Sequence, residues 1–140
     1  GCGSTLKEYA SLLADAPEWA ERARAFTVKV KDLTEWIHGS QSPAHGLKVT
    51  YHDACHLAHS QGITEQPRKL VRSCGNLVEM AEADVCCGSA GSYNITEPEM
   101  AARLQKRKVD HIIATGADVV LTSNPGCLLQ IQAGLTGSDI

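Results

Sequence analysis

Long apolar runs are missing from this 140-residue chain: nothing approaches the roughly 18 consecutive apolar positions that a membrane-spanning helix requires. The charged start and apolar middle of a secretory leader are also absent. Aromatic residues are scarce, with one Phe, two Trp and three Tyr, which leaves little for stacking on bases. A net charge of −3 supplies no basic surface, so no nucleic-acid partner is expected. There is no P-loop signature, and TSNPG (122–126) resembles a phosphate loop only superficially. HDACH (52–56) has the outer histidine spacing of a zinc-protease motif but lacks the Glu after the first His, and no CxxCH haem-attachment site occurs. There is no CxxC pair and no internal repeat. These absences leave a globular composition of about one domain's length.

What the chain does have is cysteine. Six are present: Cys2, Cys55, Cys74, Cys86, Cys87 and Cys127. Without a secretion signal, metal or redox chemistry explains them better than a disulfide framework. The start GCGST, with Cys2 at once and no initiator Met, reads as part of a motif, so the chain is expected to be the C-terminal piece of a longer subunit.

Residues 5–37 read as helical, with Leu6, Tyr9, Leu12 and Leu13 on one face and a fresh start at Asp15-Ala16-Pro17. GSQSPAHG (39–46) is a loop. Beyond it, LKVTYH (47–52), NLVEM (76–80) and ADVVLTS (117–123) read as strands. Helices are expected over 67–73, 97–115 and 125–135. The second carries a stripe of Met100, Leu104, Val109 and Ile112 or Ile113 behind a Thr96/Glu99 capping box, and the third opens on Asn124 and Pro125. The alternation implies an α/β fold: a small parallel sheet with crossover helices, preceded by a helical connector. The division expected is 1–40 for the connector and 41–140 for the cysteine-rich domain. KRK (106–108) is taken as a solvated helix face.

On this scaffold Cys55, the pair Cys86-Cys87 and Cys127 each follow the carboxyl end of a strand, the edge where open parallel sheets build their sites. Adjacent cysteines are poor disulfide partners, and four sulfurs from three loops converging on that edge suit a metal centre. Asp53 and Asn124 are read as caps of helices whose first turns hold Cys55 and Cys127, where the helix dipole favours thiolate. GSAG after Cys87 allows close backbone approach to an anionic centre, with Gly88 and Gly91 as the enabling positions. An iron–sulfur cluster fits this set best; a structural Cys₄ zinc site, thiol redox chemistry and plain burial stay open. Cys74 reads as a small, partly buried hydrophobe. His52, His56 and His59 flank Cys55, and surface or outer hydrogen-bonding roles suit them better than ligation. His56 is placed to donate to a cluster sulfur.

Three segments, YHDACHLAHSQGITEQPRKLV, ADVCCGSAGSYNITEPEMA and LTSNPGCLLQI, resemble the C-terminal cysteine-rich (CCG) domain of glycolate oxidase iron–sulfur subunits. Subunits of lactate utilisation, anaerobic glycerol-3-phosphate dehydrogenase and heterodisulfide reductase share the domain type. The resemblance implies an electron carrier holding an iron–sulfur cluster, of 4Fe–4S type, on Cys55, Cys86, Cys87 and Cys127. It also implies a flavin (FAD) partner subunit that oxidises a 2-hydroxy acid such as glycolate, a membrane electron acceptor, and a cytoplasmic place, peripheral to the inner membrane through the complex. Cys2 matches the closing cysteine of a preceding repeat. One departure is Gln130, which stands where the heterodisulfide reductase pattern has a further cysteine, so a five-thiolate double cluster is not expected. Alternatives are a cluster acting directly on a disulfide and a zinc-stabilised interaction module. No residue is assigned as a catalytic base or nucleophile.

Overall fold

The computed structural model describes residues 2–37, 46–138 and 140. At its centre is β1 (Lys48–His52), whose last four residues are all buried. A strand covered on both faces cannot alternate apolar and polar positions, which is why KVTYH carries β-branched and aromatic residues without a solvent face. β2 (Asn76–Leu77) and β3 (Val119–Thr122) flank it in the parallel order β2-β1-β3. Val49 pairs with Val119 and His52 with Thr122, so β1 and β3 end level with each other. The α/β class and the parallel sheet expected from the sequence are what the chain adopts.

Side chains alternate across β1. Val49 and Tyr51 pack with Val71 of α6 (Glu65–Cys74) and with Leu77. Thr50 and His52 therefore face the other layer. That layer is built from α8 (Pro98–Ala114) and α9 (Pro125–Gly134), whose Val109, Ile112, Ile131 and Cys127 form one core with Met80, Ala83 and Cys87. Completing the domain are α5 (Cys55–Gln61) and the short α7 (Tyr93–Thr96).

Several elements differ from the sequence expectation. The second strand is two residues long rather than five: Val78 N–H still donates to the Val49 carbonyl (2.8 Å), but Met80 then turns into the core. The helical reading of 5–37 breaks into α1 (Cys2–Lys7), α2 (Tyr9–Leu12), α3 (Pro17–Thr27) and α4 (Leu33–Trp36). Its supposed apolar face is covered only in part: Tyr9 stacks on Phe26 of α3, while Leu12 is 64% exposed. Pro17 does open a helix, while α4 has an unanticipated capping box made by Asp32 and Glu35. Thr96 and Glu99 form no capping box. Thr96 closes α7 with its N–H and hydroxyl both directed at the Ser92 carbonyl, so Glu97 becomes the cap of α8. The buried face of α8 is Ala101, Lys108, Val109 and Ile112, with Met100 40% exposed. Lys108 is thus not on a solvated face.

Of the predicted 39–46 loop, only Gly46 lies within the described residues. The N-terminal helices rest on the sheet domain: α1 packs on α5 and α4 on α6, and Ser4 Oγ donates to the His56 carbonyl (3.4 Å).

Candidate metal centre

The site forms where β1 and β3 end. Three residues past the end of β1, Cys55 opens α5. Asp53 does not cap that helix: its carboxylate is held by Arg68 in a two-pronged ion pair (2.8 and 2.7 Å), leaving Ala54 as the cap without a side-chain bond. The clamp instead ties the β1 exit to α6, and Asp53 N–H ties it to the Ala83 carbonyl (3.0 Å). After β3, Asn124 caps α9 as expected, its Oδ1 accepting from Cys127 N–H at 3.0 Å.

Between these ends runs the loop carrying Cys86-Cys87. Gly88 holds it against α8. Its φ of +93° lies in the left-handed region, and a Cβ there would sit 2.5 Å from the Ala101 carbonyl oxygen. The glycine is needed for this approach to α8, while its N–H points to Cys86 Sγ at 3.3 Å. Gly91, at φ +53°, faces open space on the cavity wall.

The result is a cavity of about 470 Å³ whose wall includes Cys55, Cys86, Cys87 and Cys127, with His52, His56 and Gly91. Cys87 and Cys127 are buried; Cys55 and Cys86 are half-buried. One donor atom from each of His52, Cys87 and Cys127 lies within 4.8 Å of the other two. Ser89 Oγ stands 3.2 Å from Cys87 Sγ and 4.0 Å from Cys127 Sγ. Cys87 is held far below the ordinary thiol range, first by the hydrogen bond from Cys127, and Cys127 is pushed up by the same bond and by burial. The thiolate form thus favoured at Cys87 is the form that binds metal.

His56 Nε2 lies 2.8 Å from Asn124 Nδ2. Because Asn124 Oδ1 already accepts from Cys127, its NH₂ faces the ring, and Nε2 is the acceptor. The imidazole is neutral with its proton on Nδ1. Burial lowers the pKa of His56 in the same sense.

Cys74 stays off the cavity, its thiol directed at the Leu70 and Val71 carbonyls (3.4 and 3.3 Å). Cys2 is exposed on α1. His59 is exposed, with Nε2 3.1 Å from the Asp84 carbonyl. His52 contradicts a surface role: it is 1% exposed and packed beside the Cys87 and Cys127 sulfurs. The even spacing of Thr50 and His52 along β1 was the available sign. For Lys108 the sign was its place seven residues after Ala101 and four before Ile112, on one helix face.

A family model described as cysteine-rich domain (CCG) matches residues 49–132, which hold every cysteine of this cavity. The chain belongs to the CCG cysteine-rich domain family. It is 43% identical over 143 residues to the probable glycolate oxidase iron–sulfur subunit of Bacillus subtilis (strain 168), covering 96% of this chain and 32% of that protein. It is similar to lactate utilization protein A of Shouchella clausii, at 33% identity over 93% of this chain and 57% of the relative. Lactate utilization protein A of Lysinibacillus sphaericus is 32% identical, over 93% of this chain and 60% of its own length. The chain therefore spans from about a third to about three fifths of the length of these curated relatives. In this CCG domain, the Cys-Cys-Gly triplet has a local explanation: the glycine seats the loop against α8, and the two cysteines alternate between a half-buried and a buried position on one wall.

Proposed function

We infer that this chain is the cluster-bearing part of an iron–sulfur subunit in a glycolate oxidase or lactate-utilisation type complex, with Cys55, Cys86, Cys87 and Cys127 binding the cluster. The observation that carries the reading is the shared cavity: four cysteines from three separate loops line one space of about 470 Å³. A single tetrahedral ion, with sulfur ligands at about 2.3 Å, needs far less room than that. The donor set fits a cluster in other respects too. Thiolate character is present at Cys87, Gly88 N–H is directed at Cys86 Sγ, and His56 offers a neutral Nδ1–H. When bound, a 4Fe–4S cluster would supply one-electron storage.

The chain's own residues then bind, orient and shield the cluster, and the oxidation of a 2-hydroxy acid belongs to an FAD-containing partner subunit. Electrons pass onward to a membrane acceptor reached through the complex. A cytoplasmic place, peripheral to the membrane through the complex, belongs to this reading; among the described residues no helix is long and apolar enough to cross a membrane. Support for this complex type comes from the relatives named glycolate oxidase iron–sulfur subunit and lactate utilization protein A.

Lone zinc is the rival that the tight trio of His52, Cys87 and Cys127 favours. Anaerobic purification followed by iron, acid-labile sulfide and zinc analysis, with EPR of the reduced protein, separates the two. Iron with matching sulfide and a reducible signal is expected. One zinc per chain without sulfide defeats the proposal.

A further inference from the structure

Lys108 is 2% exposed, on the buried side of α8 beside Val109 and Ile112, which pack in one core with Cys87. A charge taken out of water needs an opposite charge to answer it. The hydrogen bonds of this ammonium go to the Glu82 and Ala83 carbonyls, which are uncharged, and among the described residues no ion pair includes it. The neighbouring carboxylates are engaged elsewhere: Glu82 by Arg107 and His111, Asp53 by Arg68, and the exposed Asp84 by His59 at 3.9 Å. The cysteine loop, by contrast, is laid along the same helix. It is fixed to α8 at two points, the Ala83 carbonyl on Lys108 Nζ at 3.3 Å and Gly88 against the Ala101 carbonyl. Lys108 stands two helical turns beyond Ala101, about 10 Å along the axis. Cys86 and Cys87 lie on the loop between those anchors, so a centre bound to them is on the order of 10 Å from the ammonium. Burial lowers the pKa of Lys108, and the Cys87 thiolate is the largest of the charges that oppose the fall.

We propose that the Lys108 ammonium is the fixed counter-charge of the metal centre and holds its reduction potential up. The inference rests on the iron–sulfur reading above. Thiolates and sulfides leave such a cluster negative, and each electron it accepts makes it more so. A fixed positive charge in surroundings of low dielectric therefore favours the reduced form. No bond forms or breaks at Lys108, which keeps its proton in both states. Lys106, 76% exposed and paired with Asp110, has no such part.

The test uses the chain reconstituted anaerobically with ferrous iron and sulfide, then titrated against redox potential with reduction followed by EPR. Lys108→Gln removes the charge and keeps an N–H donor for the two carbonyls, whereas Lys108→Arg keeps the charge. In Lys108→Gln the reduced-to-oxidised ratio at a fixed potential is expected to fall about tenfold, a midpoint about 59 mV lower for a one-electron couple. Lys108→Arg and the exposed Lys106→Gln are expected to stay close to the unsubstituted chain. A merely structural lysine would change stability and leave this potential unmoved. An iron-loaded Lys108→Gln with an unchanged midpoint overturns the proposal, as does an equal fall in Lys106→Gln. If Lys108→Gln holds no iron, Lys108→Arg decides: iron retained at an unshifted midpoint supports the need for the charge, and iron lost there too overturns it. A chain that takes up no iron or sulfide fells the iron–sulfur reading and this inference with it, an outcome that iron content reports before any potential is measured.

Discussion

Lys108 Nζ, on a helix that follows the cysteine loop, donates 3.3 Å to the carbonyl of Ala83, four residues before Cys87. The same ammonium donates to the neighbouring Glu82 carbonyl, and the Ala83 oxygen also accepts from Asp53 N–H at the exit of β1. Glu82 itself has φ +55°, the one described non-glycine residue in the left-handed region, and its carboxylate is met by Arg107 and by His111 (3.2 Å). Three side chains of α8 thus hold the turn from which the cysteine pair emerges. Replacing Lys108 by Met keeps the stem and removes the donor. Urea unfolding at neutral pH is expected to show a loss of about 2–3 kcal/mol, the cost of buried carbonyls left without their charged donor. A loss within the error of the measurement would remove this lysine from the account.

Arg68 is the matching clamp on the other side. It grips Asp53 with two nitrogens, reaches Glu79 at 3.0 Å, and lies over the Tyr51 ring at 5.7 Å. Arg68→Lys keeps the charge and loses the planar fork, so a destabilisation of about 1–3 kcal/mol is expected. Since Asp53 leads directly to Cys55, iron uptake on reconstitution is expected to fall as well, measured as iron per chain.

The two loop glycines separate backbone strain from steric clash. Gly91→Ala meets open space and carries only the left-handed backbone cost, about 1–2 kcal/mol in thermal or urea unfolding. Gly88→Ala adds a Cβ 2.5 Å from the Ala101 oxygen and must displace the loop or α8. It is expected to cost at least twice as much as Gly91→Ala and to abolish iron loading.

For the cysteines, Cys86→Ser and Cys127→Ser are each expected to leave the purified chain with little iron, whereas Cys74→Ser retains the full amount. Cys74 ends α6 with its thiol turned to that helix's own carbonyls. Equal iron loss in all three variants would contradict the ligand assignment.

Glu35 gives a pH signature far from the cavity. Burial works to raise its pKa, but the hydrogen bond from Lys7 (2.7 Å), the Asp32 backbone N–H and the charges of Lys7 and Lys31 outweigh it, and the net shift is downward. A carboxylate with a depressed folded-state pKa stabilises the fold above its unfolded pKa, and the contribution disappears as pH falls through the folded value. Glu35→Gln is therefore expected to cost about 0.5–1 kcal/mol at neutral pH. The gap to the unsubstituted chain should close on acidification, followed by urea titrations across the acid range.

The residue pattern alone determined the class of fold and the origin of the cavity. Short β-branched runs alternating with helical periods specify a parallel sheet, and cysteines placed after its three strands come together at one edge. Asn124 before Pro125 marked a helix start because its cap is a contact within three residues. What the sequence could not reveal were partners chosen at a distance. Asp53 looked like a cap until Arg68, fifteen residues on, took its carboxylate. Lys108 looked solvated within KRK until two carbonyls twenty-five or twenty-six residues earlier received its ammonium. His52 read as a surface or outer hydrogen-bonding residue, and only the folded sheet decided that it is buried beside two sulfurs. Local propensity depends on neighbours along the chain, whereas the pairing of a buried charge or imidazole is decided by which atoms close packing brings within reach.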